Sequence, residues 1–193
     1  MVELLTHTDN PTERLKEYYG QCYQKAINIK TLEKLLHHES VLEHISYTFK
    51  IKCSRIAHLQ FVRHRIASYT SQSHRYTEIN LDDLSYFIPR RVKELGLEDE
   101  WKKDCGSIYT MYQKWIYLGL LKQDARYLVN DGCAITFVTT MNLRTLINFF
   151  ALRTDEHAQE EIRVIAMEML ALVLETVPEL KETLENIITH HFN

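Results

Sequence analysis

The chain has 193 residues, with 23 Lys and Arg against 26 Asp and Glu for a formal charge of −3, 45% hydrophobic residues, four Cys and five Gly. That size and balance fit one soluble domain over 1–193 and give no overall basic character of the kind nucleic-acid-binding domains carry. The glycines (Gly20, Gly96, Gly106, Gly119, Gly132) stand at least ten residues apart, so neither a glycine-rich dinucleotide turn nor a phosphate loop can be written anywhere.

Residues 11–29 place Leu15, Tyr18, Tyr19, Cys22 and Ile27 at helical spacing with Pro11 in the first turn, which predicts a helix. A short second helix is expected from Thr31 to Leu36. Ile45, Tyr47, Phe49, Ile51 and Cys53 alternate with Ser46, Thr48, Lys50 and Lys52, the clearest strand pattern in the chain. Ser54 then suits an N-cap, and Ile56, Leu59 and Val62 recur at helical spacing up to Arg63-His64-Arg65.

Residues 66–80 mix Ser, Thr and Tyr without a clean period and read as a loop. Tyr86-Phe87-Ile88 before Pro89 reads as a short strand. From Glu98 to Leu121, Trp101, Cys105, Ile108, Tyr109, Tyr112, Trp115 and Ile116 stripe a long amphipathic helix, with 122–129 as its continuation in a further helix. Asp131-Gly132 breaks the pattern, and 133–140 (CAITFVTT) is a second strand. Asn142 caps a helix through Arg153, a long apolar stripe (Ile162, Ile165, Ala166, Met169, Leu170, Val173) marks another that ends before Pro178, and a last one covers 178–189. The sum is an α+β fold, a mostly helical single domain with a small, largely antiparallel sheet.

The near-neutral total hides a local imbalance. From His44 to Thr77 there are six cations (Lys50, Lys52, Arg55, Arg63, Arg65, Arg75), four His and no acid, so this stretch carries +6 and the remainder −9. An anion site for a small phosphorylated ligand, rather than a nucleic acid, is the natural reading. Arg63-His64-Arg65 followed by Ser68, Ser71, Ser73 and Arg75 brings guanidinium forks together with hydroxyls, which suits oxyanions. Arg144 and Asn148 lie four apart on one predicted helix and share a face. His37-His38-Glu39 with His44 lacks H-E-x-x-H spacing, so no metal site is expected.

The longest unbroken apolar run, Met169 to Leu174, is far short of the ~20 residues of a membrane span. Met1 to Asn10 has no secretory character, so a cytoplasmic protein without a membrane partner is expected. Cys22, Cys53, Cys105 and Cys133 form no C-x-x-C pair and read as reduced, buried thiols.

R-H-R-x7-S, here Arg63-His64-Arg65 through Ser73, with Arg75-Tyr76 after it, resembles the signature of the flavin-dependent thymidylate synthases. Asn142-Leu143-Arg144 with Asn148, then Leu152-Arg153-Thr154-Asp155 and His157 to Arg163, look like that family's second block, and His38-Glu39-Ser40 through His44 like its third. The resemblance spans 38–163. It implies FAD as cofactor, dUMP and methylenetetrahydrofolate as substrates, NADPH as reductant, and a homotetramer with shared active sites. It sets His38, Ser40, Arg63, His64, Arg65, Ser71, Asn142, Leu143, Arg144, Asn148 and His157 at the flavin. It sets Gln60, Phe61, Val62, Arg63, Ser71, Gln72, Ser73, His74, Arg75, Arg126 and Arg153 at dUMP, with Arg153 the catalytic residue that favours ionisation at uracil N3.

One departure stands out: Thr70-Ser71 occupies the place where many members have Asn-Glu, so a carboxylate is missing. Ser73 is expected to bind rather than attack, because a serine needs an adjacent base and His74, its sequence neighbour, guarantees no suitable orientation. No cysteine sits in a motif suited to attack on uracil. A non-catalytic nucleotide- or RNA-binding module using the basic 44–77 segment is the alternative, and a metal-dependent nucleotide hydrolase a further one.

Overall fold

The computed structural model describes residues 1–191. Its elements in chain order are β1 (Val2–His7), α1 (Pro11–Tyr23), α2 (Ile29–Leu35), a 3-10 turn (Glu39–His44), β2 (Ser46–Ser54), α3 (Arg55–Phe61), β3 (Ala67–Ser71), α4 (Leu81–Leu84), α5 (Arg90–Glu94), α6 (Glu98–Tyr117) and α7 (Lys122–Ala125). After a second 3-10 turn (Arg126–Leu128) come β4 (Ala134–Asn142), α8 (Leu143–Arg153), α9 (Glu160–Thr176), a third such turn (Pro178–Leu180) and α10 (Lys181–Thr189). The strands form one four-stranded antiparallel sheet in the order β1-β2-β4-β3. The fold is α+β and mostly helical, as the sequence pattern indicates.

Several boundaries differ from expectation. The helix predicted over 11–29 stops at Tyr23, because Gln24 turns left-handed at φ 49° and its N–H bonds back to the Gly20 carbonyl. A new helix then starts under the Asn28 cap, whose side chain accepts from the Thr31 N–H. Ala67–Ser71, read as loop, is an edge strand whose side chains are half or fully exposed, so no apolar alternation betrays it. Residues 86–88 form no strand. That segment is anchored instead by the Tyr86 hydroxyl, which donates to the Lys52 carbonyl at 2.8 Å. Of the thiols expected to be buried, Cys22 is exposed and the other three are buried. No helix among the described residues is long and apolar enough to cross a membrane.

The chain divides into two compact units. One comprises Met1–Lys50, His64–Tyr69 and the chain from Val138 onward. Its centre is α8, which packs on the first 3-10 turn, α9 and α10. The inward face of α8 (Leu143, Leu146, Ile147, Phe149, Phe150) is buried throughout, the a-to-d periodicity of a core-facing helix. Asn142 starts it cleanly, accepting the Thr145 N–H at 2.8 Å. Tyr19 anchors the turn ahead of it, its hydroxyl donating to the His38 carbonyl at 2.9 Å.

The second unit comprises Ile51–Arg63 and Thr70–Phe137. Its core gathers Ile79, Leu84, Cys105, Tyr112, Ala125, Val129 and Cys133, with Ile108, Tyr109 and Ile116 of α6 against them. A capping box starts α4: the Asp83 N–H donates to Asn80 Oδ1 at 2.8 Å, and the Asn80 N–H to Asp83 Oδ2 at 3.2 Å. Lys52 pairs with the same carboxylate at 3.1 Å. Phe61 of α3 stacks edge-on against Phe137 of β4 at 5.1 Å, so α3 is seated firmly where its polar face reaches a cavity.

Candidate functional site

The second unit holds a cavity of about 610 Å³ lined by Arg55, Ser71, Gln72, Ser73, His74, Arg126, Tyr127, Val129, Asp131 and Ile135. Four of these (Ser71 to His74) follow the R-H-R motif, and Arg126 comes from the turn after α7. Arg55 and Asp131 are residues that the motifs did not single out. Arg55 opens α3 and pairs with Asp131 at 3.4 Å. Its signal in the sequence was membership of the cation-rich stretch, and that of Asp131 the break before β4. Tyr127, Val129 and Ile135 carried no signal, since only the fold brings them to this wall.

Most acceptors in the cavity already have partners. Gln72 Oε1 accepts the Thr136 N–H at 3.3 Å, and Ser73 Oγ accepts the Arg75 N–H at 3.3 Å. Ser71 Oγ lies 2.8 Å from Nε2 of His58, whose ring rests edge-on against Phe137 at 4.8 Å. The serine with an imidazole beside it is therefore Ser71, not Ser73. Burial, and then the Arg55 charge, holds the His58 pKa below its ordinary value. His74 is 6% exposed and its Nε2 has no hydrogen-bond partner among the described residues. Burial first and Arg55 next push its pKa down as well. The cavity thus offers two fixed guanidiniums, neutral imidazoles and hydroxyls.

Arg75 faces a separate cleft of about 360 Å³ with Tyr76, Leu121, Lys122 and Gln123. Its Nε donates to Gln123 Oε1 at 2.9 Å, and its guanidinium lies 5.2 Å from the Tyr76 ring centroid. On α3, Gln60 is half-buried, Phe61 is core, and Val62 just beyond is partly exposed. A ligand meeting Phe61 meets its backbone. Arg63 is exposed and forms no ion pair among the described residues.

In the first unit the chemistry gathers around His64 and Arg153. Arg153 Nε donates to His64 Nε2 at 3.2 Å. A ring nitrogen that accepts an N–H carries no proton, so the imidazole is neutral with its proton on Nδ1. The environment agrees: burial, and then the Arg153 charge, pushes the His64 pKa down to about 4. The ring sits edge-on to Phe149 at 5.0 Å, and Tyr69 donates its hydroxyl to the His64 carbonyl at 3.0 Å. Two sequence blocks that are 89 residues apart are joined by this one bond. Arg65 is exposed and without an ion pair among the described residues.

Other motif residues of this unit hold structural partners. Arg144 is gripped at Nε by Glu39 (2.9 Å) and at Nη1 by Glu43 (2.6 Å), which ties α8 to the first 3-10 turn. Asn148 Nδ2 lies 3.5 Å from His191 Nε2, so the two residues expected to act together have different neighbours. Leu143 is buried and its N–H donates to the Ile45 carbonyl at 2.7 Å. Asn142 uses its amide oxygen as the helix cap. His38 and Ser40 are exposed, with His38 Nε2 3.5 Å from the Tyr23 hydroxyl. His157 is exposed and bonds through Nδ1 to Asp155 at 2.9 Å. Among the described residues no group of three or more His, Cys, Asp or Glu is placed to hold a metal.

The model of the thymidylate synthase complementing protein family matches residues 3–179. A flavin-dependent thymidylate synthase of Pyrococcus horikoshii is 44% identical over 202 aligned positions, covering 95% of this chain and 83% of the relative. One from Pyrococcus furiosus is 37% identical over 187, covering 88% and 77%. One from Geobacter sulfurreducens is 36% identical over 196, covering 92% and 83%. With a family match over nearly its whole length and relatives well above 30% identity, this chain belongs to the thymidylate synthase complementing protein family.

Proposed function

We propose that this chain is a flavin-dependent thymidylate synthase, one domain over 1–193, that converts dUMP to dTMP with methylenetetrahydrofolate as one-carbon donor and NADPH as reductant of FAD. The observation that carries the reading is the cavity at the end of the R-H-R-x7-S motif in a member of this family. Its size and its pairing of Arg55 and Arg126 with Ser71 and Ser73 suit one small phosphorylated ligand. Guanidinium forks hold phosphate here in place of the glycine-rich loops that the chain lacks.

The residues present also suit a flavin dinucleotide. Arg63 and Arg65 are exposed guanidiniums without internal counter-ions among the described residues, the chemistry that meets a diphosphate. His38, Ser40 and the amides of Asn142 and Asn148 are hydrogen-bonding groups of the first unit that suit the ring and its side chain. Arg144 orders the turn carrying His38 and Ser40 by its grip on Glu39 and Glu43. When bound, the flavin supplies the hydride chemistry of the reaction.

The chain's own part is binding and charge. Arg153 stabilises negative charge at uracil N3, and His64, accepting at Nε2, fixes the plane of its guanidinium beforehand. A charge already oriented costs no reorganisation when the anion develops, which is where fixed electrostatics contribute most. Self-association into a homotetramer with shared sites belongs to the same reading and rests on the family resemblance. The protein acts in the cytoplasm on small molecules. An absorption spectrum of the purified protein tests the reading: the visible band of a bound flavin is expected, and a colourless protein that FAD does not reconstitute would overturn it.

A further inference from the structure

The His58 and Ser71 pair is assigned by neither the motifs nor the family match. His58 is an α3 residue outside every motif block, and Ser71 stands where the family resemblance sets a carboxylate. Their side chains meet at 2.8 Å behind the cavity wall that Ser71 lines, and the edge-on contact with Phe137 fixes the imidazole's position.

The direction of that bond follows from acceptor strength. In the neutral tautomer that carries its proton on Nδ1, Nε2 is a far stronger acceptor than an alcohol oxygen, and the serine O–H donates to it. Burial and Arg55 keep the ring neutral near pH 7. With its proton committed, Ser71 Oγ presents only lone pairs, the same polarity that a carboxylate would present. The remainder of the wall makes this valuable. Arg55 and Arg126 only donate, while Asp131 pairs with Arg55, Gln72 Oε1 with Thr136, and Ser73 Oγ with Arg75, so that Ser71 Oγ and the buried His74 Nε2 are the side-chain acceptors still open to a ligand. A nucleotide brings donors as well as a phosphate, namely a pentose hydroxyl and the uracil N3–H. A buried donor left unpaired weakens binding.

We propose that His58 is a positioning residue that acts through Ser71, holding the serine oxygen as a hydrogen-bond acceptor for a donor group of the bound nucleotide. The donor is either the 3′-hydroxyl of the pentose or the uracil N3–H. This rests on the reading of the cavity as a nucleotide site.

The test is equilibrium binding, by calorimetry, of dUMP, 2′,3′-dideoxyuridine monophosphate and N3-methyl-dUMP to the purified protein and to His58→Phe, Ser71→Ala and His58→Gln. Loss of one well-made hydrogen bond corresponds to roughly a 5- to 10-fold change in affinity. The parent protein is expected to discriminate by that factor against one analogue, which identifies the donor. His58→Phe keeps the ring packing on Phe137 but lacks the acceptor, and should reduce the discrimination to about twofold or less. Ser71→Ala, at an exposed position, should do the same, while His58→Gln, whose amide oxygen accepts the O–H, restores it. Comparing discrimination between proteins cancels the bulk of the added methyl group.

Full discrimination retained in His58→Phe or Ser71→Ala overturns the proposal, as does equal binding of all three nucleotides by the parent. If dUMP does not bind the parent protein at all, the nucleotide reading of the cavity falls with it. If dUMP binds and the variants discriminate unchanged, only the role of His58 falls.

Discussion

Arg153→Ala is expected to lower dTMP formation by about 10²- to 10³-fold, the cost typical of removing one fixed charge-stabilising donor from an active site. Flavin should remain bound. The loss should fall mainly on kcat, because the guanidinium's contribution grows as the uracil anion forms rather than when dUMP binds. The same variant carries a second signature. His64 loses both the N–H that Nε2 accepts and the cation that helps to hold its pKa at about 4. Its pKa should therefore rise toward the ordinary value of 6.5, only in part, since burial is the larger cause and persists. An NMR titration of the His64 ring reads this shift. Near-normal turnover would remove Arg153 from the catalytic role, and an unmoved His64 titration would contradict the contact itself.

Phe149→Ala is expected to be the most destabilising change near the site. Phe149 is fully buried on α8, edge-on to His64 at 5.0 Å and to Phe150 at 5.7 Å. Truncating a buried Phe costs about 3–5 kcal/mol through lost transfer energy and the cavity left behind. Against a total stability of about 5–15 kcal/mol this is a large share, and for a chain of this size it lowers Tm by roughly 6–20 °C. The ring also walls the imidazole that orients Arg153, so turnover should fall in whatever fraction stays folded. Thermal unfolding measures the first effect, and turnover per folded molecule the second. A Tm within about 2 °C of the parent would contradict this packing.

What the sequence revealed depended on whether side-chain chemistry or backbone geometry determined the structure. β2 was legible because burial on one face writes an apolar period of two into Tyr47, Phe49 and Ile51. Ala67–Ser71 joins the same sheet through its backbone, with side chains that stay half or fully exposed, so the loop reading followed from looking for a period that the strand has no reason to show. The helix expected over 11–29 was overextended because a left-handed Gln24 ends it without a glycine. The apolar stripe of α9, by contrast, appears as buried Ile162, Ile165, Ala166, Met169 and Val173.

The site was legible where residue type alone suggests chemistry. Arg63 and Arg65 stand out as guanidiniums in the acid-free 44–77 stretch, whereas Arg126 and Arg153 lie outside it and were pointed to only by the family resemblance. The reading of Arg144 and Asn148 as one grip followed from helix spacing, which could not register that Glu39 and Glu43, more than 100 residues away, hold Arg144. Arg55, His58 and Asp131 escaped the motifs because their relation to Ser71 and Arg126 exists only once β2, α3 and β4 have folded. The near-neutral total charge conceals how these cations are arranged: Lys50, Lys52 and Arg55 are paired with acids, while Arg63 and Arg65 form no ion pair among the described residues.

The proposed reaction converts dUMP to dTMP with a flavin and no cysteine nucleophile. Tritium release from dUMP labelled at uracil C5, measured with FAD, NADPH and methylenetetrahydrofolate present, tests it most directly, because replacing the C5 hydrogen by carbon must expel the label. Release is expected to require NADPH and folate together and to persist when Cys22, Cys53, Cys105 and Cys133 are each replaced by Ser in turn. No release from a flavin-loaded protein, or release abolished by loss of one of those cysteines in a variant that still folds and binds flavin, would contradict it.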